Sequence, residues 1–144
     1  MRVGDLLQAK GTAVAIVGST ATVSEALALL AEHDVGALVV SDDGQRIAGI
    51  VSERDIARAL AQRSTAVLGE PVSALMTTDV RTVDPETTVD ELMALMTERR
   101  IRHVPVVVDE LLAGIVSIGD AVKHRIGELE SETQTMHEYI WHGR

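Results

Sequence analysis

Apolar positions along the chain alternate between strand-like and helix-like spacing, and the whole pattern occurs twice. In the first copy Ala13 to Val17 predicts a short strand. Thr22 with Glu25 three residues on forms a capping box, and Ala26, Leu29 and Leu30 follow at helical spacing. Ala37 to Val40 and Arg46 to Val51 predict two strands around an Asp-Gly turn. Ser52 and Asp55 open the next helix, which is expected to run to about Gln62. The second copy repeats the plan. Val80 to Val83 is its short strand, and Thr88 and Glu91 cap a helix through Leu92, Leu95 and Met96. Strands over His103 to Val108 and Leu111 to Val116 precede a last helix from Ser117.

The duplication is visible residue by residue. Ala48-Gly49-Ile50-Val51-Ser52-Glu53-Arg54-Asp55 returns as Ala113-Gly114-Ile115-Val116-Ser117-Ile118-Gly119-Asp120, with six of eight positions identical. Thr22-Val23-Ser24-Glu25 returns as Thr88-Val89-Asp90-Glu91. The expected organisation is a first repeat over 1–63, a polar, turn-rich linker over 64–71, a second repeat over 72–127 and a helical tail over 128–144. Val72 to Met76 reads as a short helix echoing Val3 to Leu7. Each half is too small to bury its apolar faces alone. The expected fold is therefore α/β (α+β): two pseudo-twofold repeats, each β-α-β-β-α, packed sheet to sheet with a C-terminal helical extension. Such pairing leaves clefts at the seam, where ligands tend to sit.

Composition narrows the chemistry. The 144 residues carry a formal net charge of −9, which argues against general binding to nucleic acid. Cysteine is absent, so disulfides, thiolate metal sites and a cysteine nucleophile are excluded. Met1 to Lys10 lacks the apolar stretch of a signal peptide, and no apolar run approaches the roughly 18 residues that cross a bilayer. A soluble, cytoplasmic protein is expected. His137-Glu138 lacks the second histidine of a zinc-protease pattern, since position 141 is Trp. There is no P-loop, no G-x-G-x-x-G and no nucleophile elbow, so no catalytic residue, metal ligand or catalytic cofactor is assigned.

The repeated motif runs from Gly through two apolar residues to Ser, two variable residues and Asp, as Gly49 to Asp55 and Gly114 to Asp120. With Arg102-His103-Val104-Pro105-Val106 it resembles a tandem pair of CBS domains, a Bateman module, from about Val3 to Leu129. The resemblance implies a regulatory module that binds an adenosine ligand such as AMP, ADP, ATP, S-adenosylmethionine or a dinucleotide. It implies that Asp55 and Asp120 hold ribose hydroxyls and that Ser52 and Ser117 meet phosphate. Adenine would lie near Ile16 and Ala37 in one cleft, and near Thr82 and Pro105 in the other. The first copy departs from the fuller pattern, with Ala37 and Val39 where the second has His103 and Pro105. The first site is thus the weaker case for the same ligand and affinity.

The chemistry is sound without the family. A carboxylate accepts two hydrogen bonds side by side, which suits a ribose diol. Free N–H groups and the positive end of the dipole at a helix start attract phosphate. Ser-x-x-Asp is equally a capping box that needs no ligand. Arg99 and Arg100 read as a solvated helix end, where cations favour the dipole. Arg102 and His103 read either that way or as contacts to nucleotide phosphate in the second cleft, and Arg54 within the first motif reads as a similar choice.

The last helix is expected to continue to about Trp141. Val122, Ile126, Leu129, Thr133, Met136 and Ile140 form a heptad-like stripe along it. Such a stripe suits a homodimer, with Tyr139 and Trp141 as anchors; the alternative is that it folds back onto its own core. The leading function is an energy-sensing switch read by an unidentified protein target. A scaffold with vacant clefts and a small nucleotide hydrolase are the alternatives.

Overall fold

The computed structural model describes the backbone of residues 1–142 and the side chains of residues 1–136. The chain order is α1 (Val3–Lys10), β1 (Ile16–Val17), α2 (Val23–His33), β2 (Ala37–Val40), β3 (Gly49–Ser52), α3 (Glu53–Arg63), α4 (Val89–Arg99), β4 (His103–Val108), β5 (Leu111–Ser117) and α5 (Ile118–His142). This is the expected mixed α/β duplication. Thr22 and Thr88 accept from the N–H groups of Glu25 and Glu91, each at 3.1 Å, so both capping boxes form and start α2 and α4 where the spacing placed them.

In the first half β2 lies between β1, parallel to it, and β3, antiparallel to it. In the second half β4 and β5 pair antiparallel, with a register shift between Val106 and Val107. The strand expected over Val80–Val83 is reduced to a single parallel bridge from Val83 to Val106. The cause is the next residue. The Asp84 carboxylate accepts the N–H groups of Glu86 at 2.8 Å and Thr87 at 3.0 Å and turns the chain away.

The two hairpins differ. Asp109 and Glu110 both take positive φ, 52° and 66°, and make the two-residue turn that matches strand twist. The Asp-Gly turn of the first copy instead sits in a longer link, and β3 starts at Gly49 rather than Arg46. The Asp43 carboxylate organises that link by accepting from Gln45 and Arg46 N–H at 2.8 and 2.7 Å.

Each half builds its own aliphatic core, but the leading segments are exchanged. Val3, Leu6 and Leu7 of α1 are buried with Val89, Leu92, Met96, Val104 and Val116 of the second half. Val67 and Val72 are buried with Val23, Leu30, Leu38, Val51 and Ile56 of the first, and Leu75 and Met76 pack against that cluster. The stretch read as a polar linker is a 3₁₀ turn, Ser64–Gly69, pinned by Val67 at 1% exposure. A second 3₁₀ turn, Val72–Ala74, follows.

The halves are held together by this exchanged packing and by backbone hydrogen bonds between them. Ile50 and Thr77 trade backbone hydrogen bonds at 3.0 and 2.9 Å, and Leu112 N–H donates to the Gln45 carbonyl at 2.8 Å. Along α5, Val122, Ile126, Leu129 and Met136 stay 43–65% exposed, so the stripe does not fold back onto the core. Of the residues expected on that stripe or as anchors, the side chains of Tyr139, Ile140 and Trp141 lie outside the described residues.

Candidate ligand cleft

The two motif corners form the same local structure. At the first, Asp55 Oδ2 accepts from Ser52 N–H at 2.9 Å and Ser52 Oγ at 3.0 Å, while Asp55 N–H donates to Ser52 Oγ at 3.2 Å. At the second, the corresponding distances between Ser117 and Asp120 are 2.8, 3.0 and 3.2 Å. The capping function is therefore present at both. It engages one carboxylate oxygen, and among the described residues Oδ1 of either acid accepts no hydrogen bond. Capping and ligand binding are compatible uses of one side chain.

A cleft of about 520 Å³ opens at the first corner, within the range of small-molecule sites. The start of β2 supplies Gly36 and Ala37, the motif supplies Ser52 to Asp55, and α3 adds Arg58. The second repeat supplies the other wall residues: Thr77, which pairs with Ile50, Asp79 to Arg81, and Arg99 to His103. That wall owes its shape to Arg100. Its left-handed conformation, φ 55° and ψ 43°, ends α4 and turns the chain into β4. Six arginines (Arg54, Arg58, Arg81, Arg99, Arg100, Arg102) face three acids (Glu53, Asp55, Asp79) around the cleft. Since the chain has only 13 Lys and Arg and a net charge of −9, this gathers nearly half of its cationic side chains in one place.

Of the residues singled out from sequence, the cleft brings together Ala37, Ser52, Arg54, Asp55, Arg102 and His103, together with the supposed helix-end pair Arg99 and Arg100. Arg102 and His103 thus line the cleft at the first motif while also adjoining the second, where the Ile118 N–H donates to the Arg102 carbonyl at 2.8 Å and His103 pairs with Ser117. Ile16 is in β1 opposite Val39, Thr82 is exposed, and Pro105 is buried in β4 opposite Ile115; none of the three lines this cleft. Ser117 and Asp120 also lie outside it. Sequence reasoning missed Arg58, Asp79 and Arg81. Arg58 was within reach, because it follows Arg54 by one helical turn. Asp79 and Arg81 come from the other repeat and carry no local signal.

His103 stands between the corners. It pairs with Ser117 across the β4–β5 ladder, and its Cε1 lies 3.1 Å from where a Cβ on Gly36 would sit. Burial, followed by the Lys10 charge, holds its pKa below the ordinary 6.5 against the opposing pull of Glu53 and Asp120. The ring is therefore neutral at pH 7.

The second corner is occupied from within. Lys10 Nζ, at the end of α1, donates to Asp120 Oδ2 at 2.7 Å and to the Ile115 carbonyl at 2.9 Å. Burial works against the ionised Asp120, but the Lys10 bond, the Ser117 N–H and the Lys10 charge outweigh it and hold the carboxyl below its ordinary 3.8. Among the described residues, no group of three or more His, Asp or Glu is placed to hold a metal ion. No helix among them is long and apolar enough to cross a membrane.

Duplicated capped corners on a two-core α/β body define an internally repeated α/β module, and comparison with known proteins identifies it. The sequence profile of the CBS domain matches residues 3–62 and 72–127, and the chain belongs to the CBS domain family. It is 41% identical over 126 residues to the mitochondrial CBS domain-containing protein CBSX3 of Arabidopsis thaliana, matching 85% of this chain and 61% of that one. It is 36% identical over 110 residues to the CBS domain-containing protein YhcV of Bacillus subtilis, matching 76% of each chain. Among solved structures, the CBS-domain protein ATU1752 from Agrobacterium tumefaciens superposes with a TM-score of 0.84 at 45% identity, over 87% of this chain and 99% of that one. The CBS domain pair of protein MJ0100, solved in complex with 5′-methylthioadenosine and S-adenosyl-L-methionine, superposes with a TM-score of 0.79 at 29% identity, over 89% and 98%.

Proposed function

We propose that the cleft at the Ser52–Asp55 corner binds an adenosine nucleotide, AMP, ADP, ATP or an NAD-like dinucleotide, and that the chain is a non-catalytic regulatory module. One observation carries this reading: a carboxylate with an unbonded oxygen, Asp55, and six arginines line the same cleft of an otherwise acidic chain. The carboxylate suits ribose, and guanidinium groups suit phosphate through paired, planar hydrogen bonds. The adenosine ligands of the MJ0100 pair support the choice of base and sugar. Because its walls come from both halves, a bound ligand favours whichever relative placement of the halves it binds more tightly. An unidentified protein target reads that change in the cytoplasm. The exposed stripe of Val122, Ile126 and Leu129 on α5 supports a homodimer through the tail.

The competing reading is a scaffold whose corners only cap helices. The complete capping box at each motif favours it. Calorimetry with AMP, ADP, ATP, NAD and S-adenosylmethionine separates the two. The regulatory reading expects a phosphate-bearing adenine ligand to bind, and Asp55→Ala to weaken it by about 1.5–3 kcal/mol, roughly ten- to a hundredfold. Silence from every ligand leaves the scaffold.

A further inference from the structure

We propose that Lys10 determines which corner accepts the ligand: its ammonium takes the place of a ligand at Asp120, leaving the Ser52–Asp55 corner as the site open for binding. The inference rests on the nucleotide reading above and adds to it the number and choice of sites.

The two corners can be aligned through their glycines. A Cβ on Gly114 would lie 2.7 Å from Leu7 Cδ2, and a Cβ on Gly49 would lie 2.7 Å from Met76 Sδ. Leu7 and Met76 are thus equivalent, each from the exchanged segment and each pressed on the first residue of a motif. Three residues beyond Leu7 stands Lys10; three residues beyond Met76 stands Asp79. The chain therefore offers a cation to one corner and an anion to the other.

Backbone form completes the difference. α1 remains helical through Lys10, and Gly11, at φ 100°, ends it with its N–H on the Leu7 carbonyl. That end delivers the ammonium to both the Ile115 carbonyl and Asp120. After Met76 the chain instead pairs Thr77 with Ile50 in a single bridge, bends, and carries Asp79 along the cleft wall, 3.4 Å from Arg81. Asp55 bonds only to Ser52 among the described residues. A diol that needs both carboxylate oxygens finds Asp120 Oδ1 free but Oδ2 holding the Lys10 bond besides the two from Ser117, a charge-assisted competitor that a neutral donor does not match. A hydroxyl approaching Asp55 meets no such competitor.

The test is ATP titration of the full chain by calorimetry, with a melting scan of each variant to show that it is folded. The wild type is expected to take one ATP per chain, and Lys10→Met two. Lys10→Met combined with Asp120→Ala is expected to return to one. Lys10→Gln, which keeps length and polarity without charge, should behave as Lys10→Met and serves if the methionine collapses onto the corner. Two sites in the wild type, or one site in every variant, overturns the role of Lys10 and leaves the nucleotide reading standing. Loss of the single site in Lys10→Met overturns it too, by making Lys10 part of the binding site. No heat from ATP in any variant overturns the nucleotide reading, and this inference with it.

Discussion

The Ser52–Asp55 and Ser117–Asp120 corners have nearly the same sequence and the same three hydrogen bonds, yet their surroundings are opposite. One faces a cleft rich in arginine; the other is met by a lysine of its own chain. The difference teaches that the motif specifies a helix cap with a spare carboxylate oxygen, and little more. Whether the carboxylate serves a ligand depends on what the exchanged segment brings to it. Duplication copied the corner, and divergence of α1 from the 3₁₀ turn at Val72–Ala74 made the two corners unequal.

The largest expected effect tests the packing side of this comparison. A Cβ on Gly49 meets Thr77 O at 2.8 Å as well as Met76, and that carbonyl is fixed by the Ile50 N–H. A Cβ on Gly114 meets only the methyl end of Leu7, which can turn aside. Gly49→Ala should therefore cost about 3 kcal/mol and Gly114→Ala about 1, the two ends of the overpacking range, as read by urea unfolding. Equal costs would mean that the seam is as soft on one side as on the other.

Next comes the ligand side. Asp55→Ala should weaken nucleotide binding by about 1.5–3 kcal/mol in calorimetry. Asp120→Ala should leave nucleotide binding unchanged, while the lost capping bonds cost each of the two variants about 1 kcal/mol in the melting curve. Replacing Ser52 or Ser117 by Ala should remove about 1 kcal/mol of stability from either half, since both cap their helices alike. A clear inequality between the serines would break the claim that the corners are locally the same.

The smallest effect is one of pH. The folded chain holds His103 neutral below the 6.5 at which an unfolded histidine takes up its proton. In that window the unfolded state binds more protons, so stability falls as pH drops from about 6.5, by at most about 1.4 kcal/mol per unit. His103→Gln should flatten this part of the profile. Asp120 adds a separate loss only below 3.8, because its folded carboxyl titrates lower than the unfolded one.

Much of the fold was legible before any coordinates. Capping boxes fix helix starts through contacts three residues apart, and Thr22, Ser52 and Thr88 marked theirs to the residue. The repeated motif revealed the duplication for the same reason. The exchange of leading segments was not legible, because Val3, Leu6 and Leu7 announce a buried helix face without naming the core that buries it. The site followed suit. Ser52, Asp55 and Arg54 are local and were found, whereas Arg81 reaches the cleft only through tertiary packing. Arg102 and His103 are legible as candidates for the second cleft, but that they also line the first depends on tertiary packing, which the sequence does not display. The shortened strand near Val83 yielded to a turn that Asp84 makes with two backbone groups, a competition that an apolar pattern does not display.

The most direct test of the account is an amide chemical-shift map of the chain titrated with ATP. The predicted result is a set of shifts clustered at residues 36–37, 52–58, 77–81 and 99–103, with Lys10 and residues 115–120 little changed. Shifts centred on 115–120, or none at saturating ATP, would contradict it.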